Sequence, residues 1–438
     1  MSVITEKDSN FPGVIREPER ETPLSGSFDV VVAGGGPAGV CAALSAAKNG
    51  ASVLLIENEG CLGGILTSGL MSNIIDAANK GGLLREILDE LNAMGMVSGH
   101  YSCVDPEAMK YCIESRVLRA GICVRLYTRV VSAVVSPEGR LQAVVTESAS
   151  GREAWGGKIF VDATGNGDLS AFAGCKYEMG DSNHRLQSAS LCALVYGVRA
   201  ETIPDLLRVS NDDGKKNLLA LLTQAGTPPS YAMPTLFSVS SSSYLLMSNH
   251  QYQTVPDDAS KLSEATLAAR AELWKQIDAL RKADPHLKDL RIGTTAPLIG
   301  LREGRRIFGH YRLNLDDLLE GHSQPDAVCK VTFSIDIHGA IEGNKGYTST
   351  GLKVRPYDIP LRALIARDVS GLLLAGRCIS GDFYAHASYR VVGNAAATGE
   401  AAGICAALAV RENVLPEQVS YEEFLRAGGN PHQRFQKD

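Results

Sequence analysis

The chain has 438 residues, 45% of them apolar, and a formal net charge of −6 with both signs spread along it. That is length and apolar side chain enough for a sizeable core in one elaborated domain or two ordinary ones, and the lack of a basic patch excludes nucleic acid as the expected partner. No apolar run reaches the ~18 residues of a spanning helix, and the first 23 residues are polar with three prolines, unlike a signal peptide, so no membrane and a cytoplasmic setting are expected.

Ten cysteines are scattered without a C-x-x-C pair or a zinc-spaced Cys/His set, so no metal is expected and the thiols read as small buried hydrophobes in a reducing compartment. Cys61 differs by lying in a Gly-Cys-Leu-Gly-Gly turn, but a dithiol centre needs a second cysteine nearby, and the next is Cys103.

In chain order, residues 1–26 read as an extended arm. Phe28 to Val32 is an apolar run suited to a buried parallel strand, and Gly34, Gly36 and Gly39 follow at G-x-G-x-x-G spacing. The first glycine permits the turn, the second lets backbone approach a pyrophosphate, and the third lets helix pack on strand. The helix is expected from Pro37 to Lys48, with Pro at its first turn and Asn49-Gly50 as its stop. Ala51 to Ile56 is the second strand, and Glu57 at its end is placed to accept hydrogen bonds from a ribose 2′-OH. A merely structural glycine turn would need neither the strand before, the helix after nor the acid beyond. The ligand expected is a dinucleotide with an unphosphorylated adenosine ribose, FAD or NAD.

Further along, helices are expected over Gly82–Met94 and from the Asp105-Pro106 cap to Gly121, and a strand over Ile122–Leu126. A meander is expected over Val130–Val135, Leu141–Thr146 and Glu153–Val161. Lys158 to Gly165 ends in small residues that let backbone come close to a bound group. Ser188–Arg199 reads as strand and residues 200–290 as helices, the longest from Ser260 to Ala283 with Leu267, Leu273, Trp274, Ile277 and Leu280 inward. Leu290–Leu301 and Val331–Ile337 return to strand. Leu372–Ala375 is a strand followed by a glycine turn and a small-residue helix from about Asn394, whose N-terminus is a second anion-friendly end.

Together VVVAGGGPAG, ENEGCLGGILTSG, FVDATGNGDL, LREGRRIFG, YDIPLRAL and LLLAGRCISGDFYAHASYRVVGNAAATGEAAG resemble the FAD-dependent oxidoreductase family of the glutathione-reductase-like flavoproteins. The resemblance implies an α/β fold: a Rossmann-like FAD domain split over 27–180 and 346–438, with a mixed α+β substrate domain inserted over 181–345. It implies FAD contacts at Gly34, Gly36, Pro37, Ala38, Gly39, Glu57 and Asn58, in the turn of Gly63, Gly64 and Thr67, and at Val130 beside adenine. Ala163, Thr164 and Gly165 would pass close by, and Gly376, Arg377, Asn394 and Ala395 would border ribityl and isoalloxazine. The chain departs from glutathione reductase in lacking a second glycine fingerprint for NADPH and a disulfide beside the flavin.

The chemistry is expected from two stretches. One is the Arg302, Glu303, Arg305, Arg306 run, whose guanidinium forks suit a carboxylate or a flavin carbonyl. The other is Phe383 to Arg390, where His386 is the candidate proton acceptor, Arg390 the candidate substrate or flavin contact and Tyr384 a further base; His338 is a weaker candidate and His184 weaker still. The expected activity is hydride transfer from a small polar alcohol, amine or acid to flavin N5, with O₂, a quinone or a redox protein as acceptor. The rivals are a non-redox enzyme on the same fold, NAD-consuming and thiazole-synthase-like or a lyase, and a non-catalytic FAD-binding protein. Partners reduce to a small-molecule substrate, with a homo-oligomer left open.

Overall fold

The computed structural model describes residues 17–98, 103–208, 212–339, 347–348 and 351–429. The start of the expected arm and the expected boundary at 345/346 lie outside these.

The first layer is a mixed sheet. Its strands are β1 (Leu24–Ala33), β2 (Val53–Ile56), β3 (Cys123–Arg125), β4 (Arg129–Val135), β5 (Leu141–Ser148) and β6 (Gly151–Asp162), in the order β3-β2-β1-β6-β5-β4. β1 runs parallel to both β2 and β6, with Val32 opposite Leu55 on one side and Val161 on the other. The sequence places an antiparallel meander beside the nucleotide domain; in the structure β5 and β4 continue the same sheet, because the long β6 gives its first half to β5. The arm's last residues, Leu24 to Gly26, are already part of β1. Val30 to Ala33 are fully buried, which accounts for an unbroken apolar run where a half-exposed strand would alternate.

Helix α1 (Pro37–Lys48) crosses from β1 to β2, as its Pro and its Asn49-Gly50 stop require. Helices α2 (Gly82–Ala93) and α3 (Pro106–Arg119) follow, the latter capped by Asp105, whose carboxylate accepts from the N–H groups of Glu107 and Ala108.

The second sheet carries β7 (Ala193–Tyr196), β8 (Thr235–Ser238), β9 (Ser243–Met247) and β10 (Arg291–Thr295), antiparallel in the order β8-β9-β7-β10. The β8–β9 hairpin corrects the all-helical reading of residues 200–290: its serine-rich turn separates two short apolar strands too brief to show a period. The long helix α4 (Ala259–Ala283) covers the sheet with Ala265, Ala269, Leu273, Ile277 and Leu280. Leu267 and Trp274 were expected inward, yet are 65% and 58% exposed. At 100° per residue they fall outside the stripe drawn by 265, 269, 273, 277 and 280.

The chain then returns to the first sheet. β11 (Leu372–Leu374) pairs parallel with the second half of β6, Leu373 opposite Val161. Residues 383–389 form a helix, α5 (Phe383–Tyr389), and α6 (Val392–Glu412) follows it. α6 lies on α1 with backbone almost touching: a Cβ on Gly399 would stand 2.0 Å from the Ala38 carbonyl oxygen, and one on Gly403 2.1 Å from that of Ala42. The small-residue composition is therefore a packing requirement. No single described helix is long and apolar enough to cross a membrane. Two apolar cores result: one joins the first sheet to residues 307–424, and the other lies under the second sheet.

Candidate active site

Parallel strands β1, β2, β6 and β11 all end at one edge, so the turns that follow them converge there, where open α/β sheets bind their ligands. Gly34 has φ +97°, and a Cβ on it would meet the Ala163 carbonyl at 2.4 Å; a Cβ on Gly39 would sit 1.7 Å from the Gly34 oxygen. On Gly36 a Cβ would meet nothing within 4 Å. Two glycines are thus demanded by protein packing, whereas Gly36, at the mouth of α1, is bare toward open space that suits a pyrophosphate. Pro37 and Ala38 open that helix. Gly63 and Gly64 have φ +104° and +51°, and Gly64 lies against Gly36. Together these residues fit FAD.

Glu57 is buried at the end of β2. Its carboxylate accepts the Gly35 N–H at 2.6 Å and the Glu59 N–H at 2.8 Å, while burial pushes its pKa up against these bonds. Two bonds leave lone pairs for a ribose. Asn58 instead turns outward to Glu59, and the Thr67 hydroxyl donates to the Leu62 carbonyl, so both side chains are spent on the protein. Val130 is buried in β4. Behind Ala163 to Gly165, the buried Asp162 carboxylate accepts from the N–H and hydroxyl of both Thr164 and Ser170, fixing the turn.

Gly376, at φ +77°, lies between Ala38 and Ala395. Arg377 was expected beside the flavin; its guanidinium donates to the Gly165 carbonyl at 3.1 Å, the Leu301 carbonyl at 2.8 Å and the Asn166 side chain. It therefore ties the nucleotide turn to the stretch leading into Arg302. Asn394 is buried in the first turn of α6, its Nδ2 without a partner.

That stretch brings the second sheet to the turn at Ile65–Ser68: the Leu298 N–H donates to the Ser68 carbonyl, and a Cβ on Gly300 would touch Ile65. Immediately beyond it is a buried polar cluster. Arg306 pairs with Glu303 at 2.7 Å, both nearly fully buried, and Glu303 also accepts from Gln187 at 3.2 Å. Arg390 donates to the Asp336 carbonyl at 2.7 Å and approaches its carboxylate at 3.3 Å. His338 Nε2 is 3.0 Å from the Asp336 carboxylate and its Nδ1 is 3.1 Å from His250 Nε2. The His250 ring rests on Tyr231 at 4.2 Å between centroids. Arg302 donates to the Ser188 carbonyl at 2.8 Å and Ser190 Oγ at 2.9 Å.

Burial and the Arg302 charge draw the His338 pKa down to about 4, and His250 further still, so both rings are neutral near pH 7. Burial also pushes the Asp336 carboxyl upward, but its His338 hydrogen bond and the Arg390 and Arg302 charges outweigh that and hold it well below the usual carboxylate range. An ionised Asp336 accepts a hydrogen bond from His338 Nε2–H, which keeps that proton on Nε2. His338 Nδ1 is then the bare nitrogen and accepts from His250 Nε2–H, which leaves His250 Nδ1 a lone-pair acceptor without a partner.

His386 departs from expectation. It is fully buried on α5 with neither ring nitrogen bonded, 3.7 Å from Glu303, and burial together with the Arg306, Arg390 and Arg377 charges holds its pKa well below the ordinary value. It is a neutral core ring. Arg305 is committed to Asp168 and Asp257, both at 2.8 Å, and Tyr384 is 39% exposed at the start of α5. His184 lies in a surface turn at φ +57°. His250, Asp336 and Gln187 were missed in sequence because no motif links positions 63 to 149 residues apart. The one local signal was D-x-H at 336–338.

A family model described as FAD dependent oxidoreductase matches residues 29–427. The chain belongs to this family, and its cofactor is FAD. A curated relative, an uncharacterized protein in the nifH2 5′ region of Methanosarcina barkeri, is 49% identical over 63 residues, which is 14% of this chain; the match spans 32% of that relative's length. Among solved structures, a geranylgeranyl bacteriochlorophyll reductase-like protein from Thermoplasma acidophilum is 15% identical over 91% of this chain and 82% of its own, with a TM-score of 0.45. The p-nitrophenol 4-monooxygenase of Pseudomonas putida is 11% identical over 94% and 85%, also at 0.45. THI4 of Thermovibrio ammonificans is 25% identical over 34% of this chain and 64% of its own, at 0.29.

Proposed function

We propose that this FAD-dependent oxidoreductase removes a hydride from a small polar organic substrate and that the hydrogen-bonded array His250–His338–Asp336 takes the accompanying proton. The observation that carries this reading is the unpartnered His250 Nδ1 at the end of that array. When bound, FAD supplies the two-electron acceptor. The chain's own part is to hold His250 as a neutral acceptor. A proton arriving at His250 Nδ1 lets its Nε2–H pass to His338 Nδ1, and Asp336 stabilises the imidazolium that forms. Electrons leave to O₂, a quinone or a redox protein.

Anaerobic mixing of the holoprotein with sugars, amino acids, hydroxy acids and amines should bleach the flavin with one class of them. His250→Gln and His338→Gln should each slow that bleaching by ~10² to 10⁴ with flavin content unchanged. Bleaching as fast as in the parent would remove the array from the mechanism.

A further inference from the structure

Arg302, Arg305, Arg306 and Arg390 are all drawn inward, yet only three are paired with acids. Arg305 meets Asp168 and Asp257, Arg306 meets Glu303, and Arg390 meets Asp336. Arg302 is 9% exposed, and no described carboxylate lies within ion-pair distance of it. One arm, Nη1, is fixed on Ser188 and Ser190, while the other, Nη2, has only the Met247 thioether at 4.0 Å. A buried guanidinium held rigidly on one side and left without a counter-charge on the other is costly unless an anion completes it.

Three buried polar atoms around it also lack partners: Ser188 Oγ, Arg390 Nε and His250 Nδ1. Ser188 and Arg390 offer hydrogen-bond donors, as Arg302 does. His250 Nδ1, by the tautomer deduced above, offers only a lone pair. Donors beside one acceptor are the complement of a carboxylate with an O–H or N–H next to it. The Asp336 side chain, 19% exposed, marks the side on which this cluster reaches solvent.

We propose that Arg302 and Arg390 bind the carboxylate of a 2-hydroxy or 2-amino acid whose hydroxyl or amine donates to His250 Nδ1. This rests on the function proposed above and names its substrate class. Arg302 must keep Nη1 on its two serine partners while Nη2 meets the carboxylate, so a lysine, with a single nitrogen, is a poor substitute.

The test uses the holoprotein under anaerobic conditions, titrated with glycolate, lactate and alanine and with their methyl esters, and read by perturbation of the flavin spectrum and by shift of the melting temperature. The free acids should bind at least thirtyfold more tightly than their esters; a stronger response to lactate or to alanine identifies the neighbouring group as hydroxyl or amine. Arg302→Gln should lose at least tenfold in acid affinity and leave ester affinity unchanged. Ser190→Ala, which keeps the charge and loosens one of its anchors, should lose a few-fold. Esters binding as well as acids in the parent protein would overturn the proposal, and that comparison needs no variant. If acids bind through Arg302 and none bleaches the flavin, the site stands and the oxidation reading falls. If neutral alcohols or amines bleach the parent and Arg302→Gln equally, the site falls and the oxidation reading stands.

Discussion

The two ends of the candidate site are built differently. At the sheet edge the contacts come from backbone: glycine turns after β1 and β11, Ala163 to Gly165 after β6, and the mouth of α1. Across the seam, the cluster is built on charged and polar side chains, bonded to one another and to a few backbone carbonyls, from residues 187–190, 250, 302–306, 336–338 and 386–390. Backbone sites tolerate few side chains and show themselves as glycine and spacing. Side-chain clusters instead put charge inside, so their state depends on pH and on each other.

The sharpest way to break the backbone end is Gly39→Val, which forces side-chain atoms into the Gly34 carbonyl 1.7 Å away. Chemical denaturation should show a loss of about 3 kcal/mol, the upper end of overpacking, and the purified protein should be colourless.

The second test sets a buried acid on α6, beside the start of α2, against the side-chain cluster through pH. Burial pushes Glu400 on α6 up to about 7 from 4.5, so the folded state holds its proton longer than the unfolded chain does, and stability falls as pH rises between those values. His338 moves the opposite way, from 6.5 to about 4; there the unfolded chain binds the proton first, and stability falls as pH drops between them. Each effect should be at most on the order of 3 kcal/mol. Urea midpoints from pH 4 to 8 should lose the high-pH decline in Glu400→Gln and the low-pH decline in His338→Gln; a variant that leaves its own limb unchanged would show that its group does not titrate between the states.

A smaller effect is expected from Glu57→Gln. Replacing a charged acceptor by an amide oxygen should weaken FAD retention roughly tenfold, or ~1.4 kcal/mol, as read by flavin release on dilution. Unchanged affinity would mean the ribose is held elsewhere.

The smallest difference checks the surface of the second sheet's helix. Trp274→Lys should move the denaturation midpoint by less than about 0.5 kcal/mol, whereas Leu273→Ala, one position away and fully buried, should cost about 2 to 4 kcal/mol.

How much was legible follows from range. The strand, glycine turn and helix at residues 28–48 repeat a local pattern whose every element is set by neighbours, and the structure returns α1 at Pro37–Lys48. Leu267 and Trp274 show the limit: both are apolar, but which face of α4 is covered depends on where the second sheet lies. His386 shows it again, since its own segment suggested a base and only the packing of α5 against Glu303 and Arg306 seals it in.

The sequence by itself carried the motifs that resemble the family and the strand, glycine turn and helix that open the first sheet, because glycine, proline and apolar runs act over a few residues. Only the tertiary structure decided which charged groups meet. His250 and His338 stand 3.1 Å apart across 88 positions, and among the described residues no carboxylate forms an ion pair with Arg302 as one does with Arg306 and Arg390. Side-chain distances of that kind are consequences of the finished packing, and no local rule of spacing encodes them.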